Sequence, residues 1–130
     1  MKLRKLALAG FSAVVGLTGL VATDAMAQNE QFFPVLVYRT GPYAPSGIPN
    51  ANGLTDYFKM VNARDGGING VKITWEECET QYNTAKGVEC YEKLKNSGPT
   101  GATIVNPYST GITYQLIPKA SVDEIPIFSM

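Results

Sequence analysis

The sequence predicts an α/β protein built on a doubly wound parallel sheet, with the element order β-α-β-α-β-α-β. Short apolar runs of strand length recur along the chain, and stretches with helical periodicity separate them. Most runs are followed by a segment rich in proline, glycine or polar residues, as expected of a strand-to-helix loop. Strands that alternate with helices at this spacing join one parallel sheet through right-handed crossovers.

The first repeat of this pattern begins with the apolar run at 33–38. The segment 41–47 follows, and its content of proline and glycine predicts a loop rather than a helix. Leu54, Phe58 and Val61 then recur at i, i+4 and i+7, which places them on one face of a helix. A pair of glycines ends that helix.

The later repeats are read in the same way. The remaining strands are predicted at the runs 71–75, 102–105 and 125–128. One helix is predicted to end near Lys95, and another to begin near Ser109. The last strand brings the chain almost to its final residue, so the sheet is predicted to be incomplete.

The loops at the carboxyl ends of these strands are the expected ligand-binding edge. In doubly wound sheets, ligands bind outside these ends, where the strand order reverses. The loops in question are 40–50, 76–83 and 106–110, and they are the most irregular parts of the sequence.

The composition removes several classes of function. Histidine is absent, which excludes histidine bases, Ser-His or Cys-His nucleophile pairs and histidine-ligated zinc. A cysteine-only zinc site needs about four thiolates, and only two cysteines are present. The segment 41–47 lacks the pattern of a phosphate-binding glycine-rich loop. We therefore expect a protein that is not an enzyme and that has no metal and no cofactor. We also expect no nucleic-acid partner, because the sequence has no cluster of basic residues.

The first 27 residues are typical of a cleavable signal peptide. A basic start precedes the uncharged apolar stretch 6–20, and Ala25 and Ala27 provide the small residues that a signal peptidase recognises. Cleavage after Ala27 removes three cations and Asp24, which leaves 8 basic and 10 acidic side chains. No cysteine lies near this point to accept a lipid, so we expect a freely soluble periplasmic protein.

Two stretches resemble a known family. The first, at 38–77, reads YRTGPYAPSGIPNANGLTDYFKMVNARDGGINGVKITWEE, and the second, at 106–130, reads NPYSTGITYQLIPKASVDEIPIFSM. Both are similar to the leucine/isoleucine/valine-binding proteins, the type I periplasmic substrate-binding proteins of ABC transporters. Together the resemblance covers essentially all of 33–130. Because family members are much longer, it implies that 28–130 is the amino-terminal part of such a domain, a truncated first lobe.

The resemblance also implies a function. Family members close two lobes around a small polar solute, such as an amino acid, an amide, urea or an aromatic acid, and deliver it to an ABC permease in the inner membrane. In the first lobe, the loop after strand one forms a wall of the cleft, and a Ser/Thr pair after strand three binds the polar end of the solute. The residues that match these positions are Tyr43, Ala44, Pro45, Ser46, Gly47, Ser109 and Thr110.

Simpler explanations exist for several of these residues. Ser109 before an apolar helical stripe is a good N-cap whether or not it also contacts a ligand. Ser46 in a segment rich in proline and glycine fits ordinary turn chemistry. Tyr43 fits a packed loop aromatic equally well.

Cys78 and Cys90 are the only cysteines, and the signal peptide predicts a compartment that oxidises thiols. We therefore expect them to form a disulfide that ties the loop after the second strand to its helix. A catalytic dithiol is disfavoured because the spacing is not Cys-x-x-Cys.

Solute binding for import is the leading hypothesis for the function. A ligand-sensing ectodomain of a membrane receptor is the alternative, since receptors use the same fold. The sequence does not identify the solute.

Overall fold

The computed structural model describes residues 29–129, so the predicted signal peptide lies outside the described residues. The strands and helices are β1 (Glu30–Val37), α1 (Ala44–Asp65), β2 (Lys72–Glu79), α2 (Thr84–Leu94) and α3 (Thr110–Val122). Within 29–129, no helix is both long enough and apolar enough to cross a membrane.

The sheet is parallel, as predicted. β1 pairs with β2 in a register that runs from Glu30 opposite Lys72 to Val37 opposite Glu79. On the other side of β1 lies a third segment, 102–106, and beyond it a fourth, 125–128, neither of which forms the regular strand that the sequence predicts. Isolated parallel bridges join these segments to their neighbours, at Phe32–Ala102, Val35–Asn106 and Val105–Ile127. The spatial order is therefore β2, β1, third segment, fourth segment.

The third and fourth segments are less regular than the sequence predicts, and proline explains part of the difference. Pro34 lies in β1 between the two bridges to the third segment, and it has no N–H to donate to a ladder. Hydrogen bonds therefore form beside it rather than through it: the Thr103 N–H donates to the Phe32 carbonyl at 3.0 Å. Pro126 in the fourth segment likewise has no N–H to donate, although its carbonyl accepts from the Val105 N–H at 3.0 Å.

Helices cover both faces of β1. Val35 and Val37 face one way, where they pack with Phe58 and Val61 of α1. Leu36 faces the other way, into a cluster with α2 and α3. The members of this second cluster are buried and apolar: Leu36, Cys90, Tyr91, Val105, Ile112, Leu116 and Ala120. β1 is thus a central strand that is buried on both sides, as parallel sheets require.

The prediction of a loop at 41–47 was wrong from Ala44 onward, because α1 already begins there. A proline in the first turn of a helix is favourable, since its fixed φ is helical and its missing N–H would have no intrahelical acceptor. Pro45 occupies that turn. The predicted loop 76–83 is also shorter than expected, because β2 continues to Glu79.

The structure joins Cys78 to Cys90 in a disulfide, with their Cα atoms 5.6 Å apart. Cys78 lies near the carboxyl end of β2, and Cys90 lies in the buried face of α2. The bond therefore holds α2 close to the edge of the sheet where the candidate site is found.

Candidate functional site

Ser109 is the N-cap of α3, as its position before an apolar stripe predicts. Its backbone is extended (φ −152°, ψ 123°), and its Oγ accepts a hydrogen bond from the Ile112 N–H at 3.4 Å. Ser109 is only 7% exposed. Among residues 29–129, however, its hydroxyl proton has no acceptor, so the cap uses only half of the hydrogen-bonding capacity of the side chain.

The first turn of α3 offers further donors. The N–H groups of Thr110 and Gly111 have no acceptor within the described part of the chain, because the first turn of a helix lacks intrahelical partners. The Thr110 side chain is exposed beside them. The helix dipole adds a partial positive charge at the same place, which favours an anionic oxygen.

Ser109 and Thr110 line a cleft of about 150 Å³ at the carboxyl edge of the sheet. Its lining comes from the loop after β2, the start of α3 and the end of the described chain: Tyr82, Tyr108, Ser109, Thr110 and Ser129. In the part of the chain that the structure describes, no charged side chain contributes to this lining. The cleft lies where the strand order reverses around β1, the place predicted for a ligand in a doubly wound sheet.

Tyr82 and Tyr108 both have a left-handed backbone, with φ values of 58° and 50°. A bulky residue rarely adopts this conformation. Side chains two residues earlier stabilise it: the Tyr82 N–H donates to Thr80 Oγ1 at 3.2 Å, and the Tyr108 N–H donates to Asn106 Oδ1 at 3.1 Å. The loops therefore hold the two tyrosines in defined positions beside the α3 start.

Two further tyrosines support the Tyr82 ring. Tyr38, the first residue after β1, packs edge-on against it with ring centroids 5.1 Å apart. Tyr43 lies against it at 4.4 Å in a tilted arrangement. Burial, together with the neighbouring Tyr38 phenol, raises the pKa of Tyr108. The phenol of Tyr108 is therefore neutral and able to donate a hydrogen bond at physiological pH.

An ionic cluster holds the loops behind these tyrosines. Arg39 donates from Nε and one Nη to the two carboxylate oxygens of Glu77, both at 2.7 Å. This hydrogen bonding with Glu77 raises the pKa of Arg39. The Glu79 carboxylate accepts from the backbone N–H groups of Arg39 (2.9 Å) and Gln81 (2.7 Å). One side chain thus connects the loop that carries Tyr38 to the loop that carries Tyr82.

The structure does not bring all the predicted site residues to this cleft. Ser109 and Thr110 line it, and Tyr43 reaches it only through the ring of Tyr82. Ala44, Pro45, Ser46 and Gly47 lie in the first turn of α1, outside the lining. The Ser46 hydroxyl donates to the Tyr43 carbonyl at 3.0 Å. Ligand contact by these α1 residues stays a prediction.

Sequence reasoning missed Tyr82 and Tyr108 as site residues. Both lie in loops that the sequence predicts at the ligand-binding edge, 76–83 and 106–110, and Tyr108 directly precedes Ser109. Their position after a strand was the available signal, but a tyrosine in a loop is more often packed than functional. Within 29–129, no group of three or more cysteine, aspartate or glutamate residues is close enough to hold a metal ion.

The sequence profile of the periplasmic binding protein family matches residues 30–130, most of the chain. The chain belongs to this family. The type I periplasmic binding protein fold that the sequence predicted is confirmed by solved structures with the same arrangement. No curated protein matches the sequence.

Three solved structures show how this periplasmic binding protein compares with others. One, described as an ABC transporter permease from the Pseudomonas fluorescens group, is 42% identical, with a TM-score of 0.73 over 77% of this chain and 24% of its own. A branched-chain amino acid ABC transporter from Thermus thermophilus with bound valine is 25% identical, with a TM-score of 0.69 over 78% and 26%. The substrate-binding protein LivJ from Streptococcus pneumoniae, in complex with isoleucine, is 21% identical, with a TM-score of 0.67 over 77% and 28%.

This periplasmic binding protein chain thus spans about a quarter of the length of the solved structures it matches. The third of these structures shares too little sequence to indicate more than the fold.

Proposed function

We propose that this chain supplies the first-lobe half of the solute site of an ABC importer for amino acids or related small polar solutes. In this proposal the chain reaches the periplasm through a signal peptide cleaved after Ala27. The assembled binding protein then delivers its solute to a permease in the inner membrane. The chain has no catalytic role.

The observation that carries the proposal is the unused hydrogen-bonding capacity at the start of α3. The Ser109 hydroxyl proton and the N–H groups of Thr110 and Gly111 lack acceptors among residues 29–129, and Ser109 is almost fully buried. The Ser109 oxygen is already satisfied by the cap bond, so the donors left for a ligand are its proton and the two N–H groups of the first turn. A carboxylate or another polar oxygen in the cleft would accept from all three donors, and the helix dipole would stabilise its charge.

The volume of the cleft fits a solute-binding site of which this chain forms only one half. Small-molecule sites usually enclose about 300–1,000 Å³, and this cleft measures about 150 Å³. Each hydrogen bond in a solvent-exposed half-site contributes only about 0.5–1.5 kcal/mol. We therefore expect the chain alone to bind solutes with a Kd weaker than about 1 μM, because association itself costs several kcal/mol.

Weak binding of this kind can be measured by NMR. The ¹⁵N-labelled chain would be titrated with L-leucine, L-valine, acetamide, urea and benzoate while the amide signals are followed. We expect at least one of these solutes to shift the Thr110 and Gly111 signals in a saturable way. If none of them does so at millimolar concentration, the proposal is wrong.

Variants separate ligand contact from helix capping. Replacing Ser109 by Ala and Thr110 by Val should weaken binding about fivefold, or about 1 kcal/mol. Loss of the N-cap alone costs about 1 kcal/mol of stability, so a matched control is needed. Asn83→Ala provides it, because Asn83 caps α2 by accepting from the Lys86 N–H at 3.1 Å and does not line the cleft. Equal loss of binding in both variants would reduce Ser109 to a cap.

A further inference from the structure

The two tyrosines that line the cleft can distinguish between solutes that share the same anionic group, which the donors at the start of α3 cannot do. Tyr82 and Tyr108 reach the same cleft from two different loops and stand beside the donors at the start of α3. Both keep a left-handed backbone that is unfavourable for tyrosine. Such strain persists only where the surroundings enforce it, and it concentrates at ligand-binding positions.

The Tyr82 ring is fixed from behind rather than free to turn away. Tyr38 and Tyr43 contact it at centroid distances of 5.1 and 4.4 Å. Behind these rings, Thr80 Oγ1 donates to the Val37 carbonyl at 2.9 Å, which anchors the loop to the end of β1. Tyr82 itself stays partly exposed and lines the cleft. A ring held in this way keeps aromatic surface available to the solute at little cost in conformational entropy.

The charges around the cleft favour a ring over an ammonium group. Among residues 29–129, no carboxylate lines the cleft. Glu79, at the end of β2, does not line the cleft, and its carboxylate accepts from the N–H groups of Arg39 and Gln81 and from the Thr40 hydroxyl. An α-ammonium group would therefore have no carboxylate partner in this half of the site. A planar ring needs none, because it packs on tyrosine by offset stacking or edge-to-face contact.

We propose that the solute carries a planar aromatic ring next to its anionic end, and that Tyr82 and Tyr108 select for that ring. The carboxylate lies at the Ser109, Thr110 and Gly111 donors, and the ring lies against the two tyrosines. This inference rests on the proposed function, since it assigns a solute class to the same cleft.

The test compares two carboxylates of similar size in the same NMR titration. Benzoate has an aromatic ring, whereas cyclohexanecarboxylate has the same carboxylate on a saturated ring. We expect benzoate to bind at least about threefold more tightly than cyclohexanecarboxylate and more tightly than L-leucine. Its ring protons should show nuclear Overhauser contacts to the ring protons of Tyr82 or Tyr108.

Variants assign the preference to the rings. Tyr82→Leu should bring the ratio of benzoate to cyclohexanecarboxylate affinity close to one, while Tyr82→Phe, which keeps the ring, should retain the preference. Tyr114→Leu is the control, because Tyr114 is 68% exposed on α3 and does not line the cleft. If Tyr82→Leu does not fold, Tyr108→Leu takes its place, and the ratio for the unmodified chain still decides the question.

The two proposals fail in different ways. Equal affinity for the two carboxylates, or tighter binding of L-leucine, would overturn the inference about the ring while leaving solute binding intact. If none of the solutes shifts the Thr110 and Gly111 signals, the proposed function falls, and the aromatic inference falls with it.

Discussion

Gly47, in the first turn of α1, lies directly against Tyr38, the first residue after β1. A Cβ at position 47 would overlap the carbonyl oxygen and the ring of Tyr38. Because Tyr38 in turn packs against Tyr82, this close approach connects the start of α1 to the aromatic side of the cleft. Gly47 therefore leaves room for Tyr38 to pack between α1 and Tyr82, although Gly47 itself does not line the cleft.

We expect Gly47→Ala to destabilise the chain by about 1–3 kcal/mol, as overpacking of a tight contact does. Gly53 in the same helix is the matched control, because a Cβ there would meet nothing within 4 Å. Gly53→Ala should stabilise the chain by about 0.5–1 kcal/mol, since glycine is unfavourable inside a helix. Urea unfolding of both variants measures the difference. Two variants of equal stability would contradict the packing described here.

Removing the disulfide should lower the free energy of unfolding by about 3 kcal/mol. Cys78 and Cys90 are separated by 12 positions in the sequence, and closing a loop of this length restricts the unfolded chain by about that amount. The variant Cys78→Ser/Cys90→Ser and the reduced unmodified chain should show the same loss in denaturant unfolding. An unchanged unfolding midpoint would mean that the crosslink does not form in the purified protein.

Acid should destabilise the contact between α2 and α3. The hydrogen bond from Tyr91 (2.7 Å) and the ion pair with Lys95 (3.0 Å) lower the pKa of Asp123. A carboxylate with a lowered folded-state pKa contributes stability above its unfolded pKa of about 3.9. That contribution is lost as the pH falls through the folded pKa. Asp123→Asn should therefore flatten the loss of stability below about pH 4.

The control for this prediction is Asp56→Asn. Asp56 is an exposed carboxylate paired with Lys59 on α1, and such pairs contribute little. The profile of this variant should follow that of the unmodified chain when unfolding is measured between pH 2 and 7. If Asp56→Asn reduces the loss of stability at low pH, or if Asp123→Asn does not, then Asp123 is not the cause of that loss.

Alkali should act on the same contact through Tyr91. Burial first, and then the hydrogen bond to Asp123, raise the pKa of Tyr91 well above its usual value. The folded chain therefore keeps the Tyr91 proton at a pH where the unfolded chain releases it. Stability present below about pH 10 should be lost as the pH rises above that value.

Tyr91→Phe should be less stable at neutral pH, because it loses the hydrogen bond to Asp123, and its stability should fall less steeply above pH 10. Tyr114→Phe should leave the alkaline profile unchanged, since Tyr114 is exposed on the surface of α3. Unfolding followed by circular dichroism between pH 8 and 11 measures how steeply the stability of each variant falls with pH. A parallel fall in the Tyr91→Phe variant would show that Tyr91 is not the titrating group.

Processing of the precursor is a prediction from the sequence alone. The basic start, the apolar stretch 6–20 and the small residues Ala25 and Ala27 predict cleavage between Ala27 and Gln28. Amino-terminal sequencing of the protein from a periplasmic extract should therefore begin at Gln28. An intact Met1 in that fraction would contradict the signal peptide.

Several features of the fold could be predicted because they depend on local patterns. The apolar face of α1 follows from the spacing of Leu54, Phe58 and Val61, of which the last two are buried. Ser109 could be recognised as an N-cap because a helical stripe begins immediately after it. The disulfide between Cys78 and Cys90 could be predicted because the chain has only two cysteines and its sequence predicts a signal peptide.

The sequence by itself thus determined the alternation of strands and helices and the α3 cap, because periodicity and capping are properties of neighbouring residues. It also determined the cysteine pair, because two cysteines allow only one pairing within the chain. Only the tertiary structure decided that α1 begins at Ala44, where Gly47 can lie against Tyr38. It also decided that Tyr82 and Tyr108, 26 positions apart in the sequence, share one cleft. The physical reason is that the strand pattern predicts which loops meet at the carboxyl edge, whereas the side chains that face one cleft depend on the backbone conformation of each loop, as the left-handed φ values of Tyr82 and Tyr108 show.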